Sequence, residues 1–324
     1  MEKNSVHEQG KLLRRGNAPC RIGPGDGERN LGTVRTRGIV DDDLVDVGSF
    51  LHANLNHRLP VTTWAAAIVP PWQGTDRDAG DGYGHVLEVE GTIVGVQLVF
   101  SSRRDLGSGP VIIRNLGALC ILSGYRDQSI RLLRAAMAGR DSHLTDLSPS
   151  GAVVALNERF GLTRLDTATA LIPAIPGVFG RHGFPGGTHV ITDPDRIRRC
   201  LSGRDLEIYH DHKNAPAAHH VVLEHGQEFC YVMWRRDRRK RVPLFASLLY
   251  TNGPDMLHAL FPALSRFLLL RYGIPAVLAE LRLVGLRPRS SIMLSSPRPK
   301  MFRSHTLPES AIDYLYSELT CVAW

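Results

Sequence analysis

The chain has 324 residues, of which 43% are hydrophobic, so it is long enough for two domains and too apolar for a disordered protein. No stretch approaches the ~18 uninterrupted apolar residues that cross a bilayer, and the first residues carry charges where a signal peptide has an apolar segment. We therefore expect a soluble, cytoplasmic protein without a membrane span.

The net charge of +7 indicates an anionic partner without identifying it. Bulk charge bears on association and not on fold, and it is compatible with nucleic acid, an anionic membrane surface or an anionic cofactor. The cysteines are far apart in sequence, which fits neither a disulfide framework nor a zinc knuckle and is typical of a reducing cytosol: Cys20, Cys120, Cys200, Cys230 and Cys321.

The chain begins with a segment that has no pattern of a folded element. Residues 1–32 mix charged residues, Asn and Gly without periodicity, and we predict a mobile tail there. Residues 33–40 alternate as a strand, and the acidic run from Asp41 to Asp43 then begins a helix. Such a run is typical of a helix N-terminus rather than of a metal site, because adjacent carboxylates cannot all face one ion. Residues 86–99 follow as a strand.

The most informative stretch runs from Cys120 to Ala138 and is typical of a buried strand, a tight turn and a helix. The strand ends at the breaker pair Ser123-Gly124, and apolar residues then recur at helical spacing: Ile130, Leu133 and Met137. A turn between a strand and a helix directs free backbone N–H groups and the positive end of the helix dipole at whatever lies above it. The pattern therefore predicts an anion site, with phosphate as its usual occupant.

Residues 125–131, Tyr-Arg-Asp-Gln-Ser-Ile-Arg, resemble the pyrophosphate-binding loop of the GCN5-related N-acetyltransferases. That loop has the pattern Gln/Arg-x-x-Gly-x-Gly/Ala after a strand. Arg126 fits its first position, whereas Ser129 and Arg131 stand where the family has small residues. Residues 156–162 are similar to the family's later helix, which ends in a Gly and an apolar residue, and the strand at 86–99 stands where the family has its second and third strands.

This resemblance implies an α/β (α+β) fold, in which a mixed, mostly antiparallel central sheet is flanked by helices. It also implies acetyl-CoA or another acyl-CoA as co-substrate, held by the strand end and the loop. The residues expected to bind it are Ile121, Leu122, Ser123, Arg126, Asp127, Gln128, Ser129, Ile130 and Arg131.

The resemblance gives positions for catalytic groups but not the usual residues. In this family a Tyr in the later helix often protonates the leaving sulfur, and a Glu on the fourth strand often deprotonates the amine. Here these positions are Asn157 and Asn115, and neither amide exchanges a proton near neutral pH. A base elsewhere is then required, such as Glu88, Glu90 or His85. A lone cysteine in an apolar strand is more typical of a core than of a nucleophile, which leaves Cys120 outside the chemistry.

The second half of the chain repeats the order of elements found in the first. The sequence from His85 to Gly91 recurs as His220 to Gly226, and a strand, a turn, an apolar helix at 257–272 and another strand follow. A Pro- and Gly-rich stretch separates the halves. We therefore predict two similar units, the second degenerate, as in some relatives of this superfamily such as the peptidoglycan-bridge aminoacyltransferases. The predicted ranges are 33–175, a linker at 176–193, and 194–324.

The second unit lacks the features of a phosphate loop. Its turn at 252–255, Asn-Gly-Pro-Asp, has no Arg, and Pro254 removes one N–H while Asp255 adds a negative charge. We therefore assign the nucleotide to the first unit. His210 and His212 would share one face of a strand, but the spacing of the histidines matches no standard metal site, so we predict no metal. We expect these two residues and Tyr250 to bind the acceptor in a cleft between the units.

The resemblance carried by these patterns implies an N-acyltransferase, with acetyl-CoA favoured as donor and an amine of a small molecule or peptide attacking directly in a ternary complex. Two alternatives remain open at this point. One is an aminoacyl-tRNA-dependent transferase, against which the modest aromatic content counts, and we expect no nucleic-acid partner. The other is an acyl-CoA-binding protein without turnover, since the two expected catalytic positions hold Asn. The sequence does not indicate the oligomeric state.

Overall fold

The computed structural model describes residues 33–72, 82–106, 109–138, 142–174, 187–239 and 242–323, so the tail predicted at residues 1–32 lies outside the described residues. The strands are β1 (Arg35–Gly38), β2 (Gly84–Val89), β3 (Thr92–Asp105), β4 (Pro110–Ile121), β5 (Ser142–Asp146), β6 (Thr163–Arg164), β7 (Thr169–Pro173), β8 (Thr188–Ile191), β9 (His219–His225), β10 (Glu228–Arg239), β11 (Val242–Thr251), β12 (Ala276–Glu280), β13 (Ile292–Met293) and β14 (Met301–Arg303). The helices are α1 (Leu44–Asn54), α2 (Val61–Ile68), α3 (Ser129–Ala136), α4 (Gly151–Arg159), α5 (Pro194–Cys200), α6 (Gly203–His212), α7 (Pro254–Tyr272), α8 (Leu281–Val284) and α9 (Glu318–Cys321).

The described strands form two sheets of seven with the same pattern of pairing. The first has the order β1-β2-β3-β4-β5-β14-β6 and the second β8-β9-β10-β11-β12-β7-β13. In each sheet the first four strands pair antiparallel, the fourth and fifth pair in parallel, and the last two pairings are antiparallel again. The predicted fold class, two units with mixed and mostly antiparallel sheets flanked by helices, is confirmed.

The two sheets exchange one strand. β14 comes from the second half of the chain and lies between β5 and β6 of the first sheet, where Met301 faces both Asp146 and Arg164. β7 comes from the first half and lies between β12 and β13 of the second sheet, where Leu171 faces both Leu278 and Ile292. Each unit of the predicted division therefore completes the sheet of the other. Residues 188–191, which the sequence placed in the linker, form the edge strand β8.

This exchange predicts that the halves fold together. A chain cut near Gly186 would leave the first sheet without β14, so β5 and β6 would lose their shared partner and present unpaired backbone groups. We expect residues 33–186 to be insoluble when expressed alone and soluble when residues 187–324 are co-expressed. Centrifugation of lysates followed by gel analysis measures this. A soluble first half that melts cooperatively by itself would contradict the prediction.

Helix α7 forms where the apolar run predicts it, and it ends at Gly273, whose φ of 65° closes the helix in the left-handed region. Its buried residues pack with the core strands of its own sheet, and Leu270 is 71% exposed. The apolar residues of α7 are too many for one stripe, and they predict a helix wedged against the first unit. Instead the opposite face of the second sheet, with α5 and α6, packs toward the first unit, through a core that includes Ile113, Leu147 and Leu165.

The apolar end of the sequence after Ile312 predicts a C-terminal strand that closes on the second unit, and the structure differs. Residues 304–323 contain a short 3-10 helix at Glu309–Ala311 and the single turn α9. They lie along the junction of the two units, where Ile312, Tyr314 and Leu315 belong to the core shared by both. Farther on, Cys321 and Val322 pack into the core of the first unit. The last segment of the chain is therefore held between the units and not on the second alone.

Candidate active site

The candidate site is the opening between β4 and β5. The two strands pair in parallel as far as Asn115 and Thr145 and then separate. Opposite this point the register between β3 and β4 slips, because Val99 faces Leu116 whereas Gln97 faces Leu119. β4 thus contains a bulge at residues 117–118, and a bulge leaves backbone groups unpaired and bends its strand. The bend of β4 at this bulge accounts for its separation from β5.

The bulge is packed so closely that it requires glycine. A Cβ on Gly117 would lie 2.7 Å from Cε2 of Phe100 and 3.3 Å from Oε2 of Glu318. The buried Gln97 side chain also holds Gly117 in place, because its Nε2 donates to the Gly117 carbonyl at 2.9 Å. The geometry of the opening is therefore set by the local packing of β3 and β4.

We expect Gly117→Ala to destabilise the protein by about 1–3 kcal/mol, because the added methyl group overpacks against a rigid ring. Thermal unfolding measures this as a lowered Tm. Gly151→Ala is the matched control, since a Cβ at Gly151 meets nothing within 4 Å and the residue lies in the first turn of α4. Equal melting temperatures for the two variants would contradict the packing argument.

Two buried carboxyl groups lie at this opening. Asp146 is the last residue of β5 and Glu318 the first of α9, and they are 5% and 0% exposed. Asn157 Nδ2 donates to Asp146 Oδ2 at 2.7 Å, and the Glu318 backbone N–H donates to Asn115 Oδ1 at 2.9 Å. The hydroxyl of Ser148, an exposed residue, donates to Glu318 Oε1. Ser148 therefore links a fully buried carboxyl group to the surface.

Burial changes the acidity of both groups in the direction useful for proton transfer. It raises the pKa of Asp146 to about 7. Burial, and then the neighbouring charge of Asp146, raise the pKa of Glu318 to about 8. Two oxygens here, Glu318 Oε2 and Asn157 Oδ1, have no hydrogen-bond partner among the described residues. Strongly perturbed groups of this kind are typical of functional sites.

The two Asn residues chosen from sequence are both brought to this opening, as supports of other groups. Asn115 Nδ2 also donates to Thr145 Oγ1 at 3.0 Å, so this side chain joins β4, β5 and α9. Glu88 lies elsewhere, on β2, with its Oε2 2.6 Å from Nε of Arg37. Sequence reasoning missed Asp146 and Glu318. Asp146 carried the signal of an acidic residue at a strand end, but no local signal marked Glu318.

The predicted phosphate loop forms at the end of β4. Residues Ser123–Gln128 make a 3-10 helix, and α3 follows directly at Ser129. The 3-10 helix runs directly into α3, and the Ser129 N–H donates to the Arg126 carbonyl. The uncapped end is therefore the start of the 3-10 helix, where Leu122 makes no side-chain capping bond. Arg126 and Arg131 are exposed on the same turn, so the loop presents two guanidinium groups beside an uncapped helix start.

The three residues expected to bind the acceptor are not brought together. His210 and His212 lie on helix α6 and not on a strand, because the Leu206, Tyr209 and His212 spacing is helical. His210 is exposed, whereas His212 is fully buried, and its Nε2 accepts from the Tyr316 backbone N–H at 3.0 Å. Tyr250 donates its hydroxyl to Asp205 at 2.7 Å.

Asp205 also covers the turn that corresponds to the phosphate loop in the second unit. Its Oδ2 accepts from Asn252 Nδ2 at 2.7 Å, and Asn252 Oδ1 accepts from the Tyr231 backbone N–H at 2.8 Å. Asp205 of α6 thus occupies the turn that precedes α7. A carboxylate at this point also opposes a phosphate electrostatically.

We therefore expect each chain to bind one acyl-CoA. Calorimetric titration with acetyl-CoA should give a stoichiometry near one, because of the two turns described above the one at 252–255 is covered by Asp205, whereas the Arg126 loop is exposed. Asp205→Ala should not create a second site, since Pro254 still lacks an N–H. Two equivalents bound by the unmodified protein would contradict this assignment.

Two features are absent from the described ranges. No group of three or more His, Cys, Asp or Glu residues within them is placed to hold a metal ion. No helix within them has the length and apolar character to cross a bilayer.

Several solved structures have a similar architecture. A GCN5-related N-acetyltransferase from Anabaena variabilis aligns over 84% of this chain and 72% of its own, with 13% identity and a TM-score of 0.52. The chain has the fold of the GCN5-related N-acetyltransferases. A protein from Pyrococcus horikoshii, provisionally assigned as an acetyltransferase, is similar over 93% of this chain and 100% of its own, with 12% identity and a TM-score of 0.52.

A third similar structure is a fungal GCN5-related glucosamine N-acetyltransferase region of a multi-domain β-N-acetylglucosaminidase. It aligns over 87% of this chain and 40% of that protein, with 13% identity and a TM-score of 0.53. At these identities the likeness shows the acetyltransferase fold alone. No protein-family model matches the sequence, and no curated protein matches it.

Proposed function

We propose that this protein is an acyl-CoA-dependent N-acyltransferase in which Glu318 is the general base and Ser148 relays the proton to it. One observation supports this proposal above the others. The Glu318 carboxyl group is fully buried with a pKa raised to about 8, and the exposed Ser148 hydroxyl connects it to the opening between β4 and β5. A base whose pKa lies near the working pH is the most effective kind.

Distances along β4 support this placement of the donor. From the phosphate loop at Ser123 back to the bulge at Gly117 is six residues, or about 20 Å at ~3.3 Å per residue. This is comparable to the extended pantetheine arm of coenzyme A. With its pyrophosphate on the Arg126 loop and its arm along Ile121 and Leu122, an acyl-CoA places its thioester at the bulge, beside Ser148.

The proton transfers can then be written with named atoms. A neutral amine attacks the thioester carbonyl carbon, and its nitrogen loses a proton to Ser148 Oγ as the Ser148 proton passes to Glu318 Oε1. The C–S bond breaks, the thiolate takes up a proton from water as coenzyme A leaves, and Glu318 returns its proton to water through Ser148. Backbone N–H groups of the bulge are the natural donors to the carbonyl oxygen. Asp146 acts through Glu318, since its charge raises the Glu318 pKa.

The acceptor in this proposal is an amine of a small molecule or a peptide, which attacks directly in a ternary complex. The similar fungal region is named for glucosamine, and this amino sugar is therefore one acceptor to test. The net positive charge of +7 favours acceptors that carry a carboxylate or a phosphate.

An amine screen tests the proposed function. Purified protein is incubated with acetyl-CoA and pools of amino sugars, amino acids, other small amines and peptides, while a thiol reagent reports free coenzyme A and mass spectrometry reports acceptors heavier by one acetyl group. We expect thiol release that depends on one pool and matches the acetylated product. Tight acetyl-CoA binding without acetylation in any pool would instead indicate a binding protein without turnover.

A further inference from the structure

The proposed base lies on a segment that both units hold. Residues 313–322, here called the C-terminal strap, run from the junction of the units to the opening between β4 and β5. From the first unit, Arg104 Nη1 lies 2.8 Å from Asp313 Oδ1, and Asn115 accepts from the Glu318 backbone. The strap contains one helical turn, α9, which is too short to be stable alone. Its position therefore depends on contacts made around it.

The second unit supplies the contact nearest to the base. Arg235 lies on β10, is 3% exposed, and donates from Nη1 to the Leu319 carbonyl at 3.2 Å and from Nη2 to the Val322 carbonyl at 3.3 Å. These carbonyls belong to α9 and the residue after it, where a cation opposes the negative end of the helix. The guanidinium is also close enough to Glu318 to interact with its charge.

A second anchor from the same unit holds the strap two residues before Glu318. Burial lowers the pKa of His212 to about 4, so its ring is neutral near pH 7. Nδ1–H donates to the Ile208 carbonyl at 2.9 Å, which leaves Nε2 to accept from the Tyr316 backbone at 3.0 Å. The Tyr316 hydroxyl donates to Asp211 at 2.7 Å. Tyr316 has a φ of 56°, a conformation that a non-glycine residue keeps only where its surroundings impose it.

We infer that the second unit builds the catalytic site of the first by holding the C-terminal strap, with Arg235 as the positioning residue for Glu318. This inference rests on the proposed function. It assigns the degenerate unit a role that does not require it to bind a nucleotide. Burying a guanidinium is costly unless its charge is satisfied by hydrogen bonds, and here Nη1 and Nη2 both donate to carbonyls of the strap.

The experiment compares Arg235→Gln with Arg235→Lys in the full chain. We expect Arg235→Gln to lower kcat about 10- to 100-fold, because misplacing a base by about 1 Å has an effect of this size. Acetyl-CoA affinity should be unchanged. Among the described residues, the charged groups that act on Glu318 are Asp146 and Arg235, so loss of the cation should also move the rising limb of the pH profile to higher pH. Arg235→Lys, which keeps the charge, should restore the limb.

Matched controls separate this role from general stability. Arg236→Gln changes the exposed neighbour on the same strand and should leave both kcat and the pH profile unchanged. His212→Ala removes the other anchor and should lower kcat as Arg235→Gln does, whereas Glu207→Ala, an exposed change on the same helix, should not.

Hydrogen exchange gives a measurement that does not depend on turnover. Residues 316–322 should exchange faster in Arg235→Gln and in His212→Ala than in the unmodified chain. The inference would be overturned if exchange in this segment were unchanged, or if Arg235→Gln had the same kcat and pH profile as the unmodified chain. Either result would leave the proposed function standing. An unmodified chain that transfers no acyl group to any amine would overturn the proposed function, and with it the catalytic role of the strap.

Discussion

Replacing Glu318 by Gln is expected to lower kcat about 10²- to 10⁴-fold, the usual contribution of a general base. Gln fills the same space and can accept the hydrogen bond from Ser148, but it cannot take up a proton. Acetyl-CoA binding should be unchanged, because Glu318 lies beside Asn115 and Gly117, about 20 Å along the chain from the phosphate loop at ~3.3 Å per residue. Steady-state kinetics with the acceptor found in the screen, and calorimetry with acetyl-CoA, measure the two effects.

The control for this substitution is Glu228→Gln, which changes an exposed carboxylate on β10 and should leave kcat unchanged.

In the unmodified protein kcat should rise with pH and level off above about 8, because the base acts only when ionised and burial raises the pKa of Glu318 to about 8. The residual activity of Glu318→Gln should lose this limb. A variant that keeps the full rate and the same pH profile would exclude Glu318 as the base.

The same substitution should change stability in a direction fixed by the pKa shift. The folded state raises the Glu318 pKa from its usual 4.5 to about 8, so it favours the protonated form. Stability linked to this group is fully present below about pH 4.5 and is lost as the pH rises through about 8. Gln does not ionise, and Glu318→Gln should therefore melt higher than the unmodified protein at pH 8.5 and similarly at pH 4.5. Thermal melts at the two pH values measure this.

Reversing both charges of the phosphate loop should weaken acetyl-CoA binding about 100-fold. Charge-assisted hydrogen bonds are worth about 1.5–3 kcal/mol each, and 1.4 kcal/mol is about a factor of ten in affinity. Arg126→Glu/Arg131→Glu removes two such donors and places two negative charges near the pyrophosphate. Because both side chains are exposed, the fold should be unaffected. Calorimetry gives the affinity and thermal melting the stability.

The matched control is Arg134→Glu/Arg159→Glu, which makes the same change of net charge at two exposed positions outside the loop. Titrations at several salt concentrations distinguish long-range electrostatic attraction from direct contact with the phosphate, since exposed charges are screened beyond about 10 Å at 0.1 M salt. The control should approach the unmodified affinity as salt rises, and the loop variant should remain weaker. Equal affinities for the two double variants would refute the assignment of the loop.

Local patterns in the sequence were enough to predict the secondary structure around the phosphate loop and in helix α7. The strand, turn and helix around residues 120–138 and the helix at 257–272 form as predicted, because the spacing of apolar residues and the breakers between them act within a few residues. The repeat that begins at His85 and at His220 likewise predicted two similar units. The alternation His210-Asp211-His212 failed as a strand signal, since three residues are too few to distinguish a period of two from a helix.

Tertiary structure alone decided how the sheets are completed and which groups meet at the opening. β7 and β14 are short strands whose sequences do not specify a partner, and they pair across the boundary because each sheet lacks a neighbour there. Glu318 lies 170 residues after Ser148, in a segment without periodicity. Its pKa is set by burial under both units and by the charge of Asp146, and neither influence exists until the chain has folded.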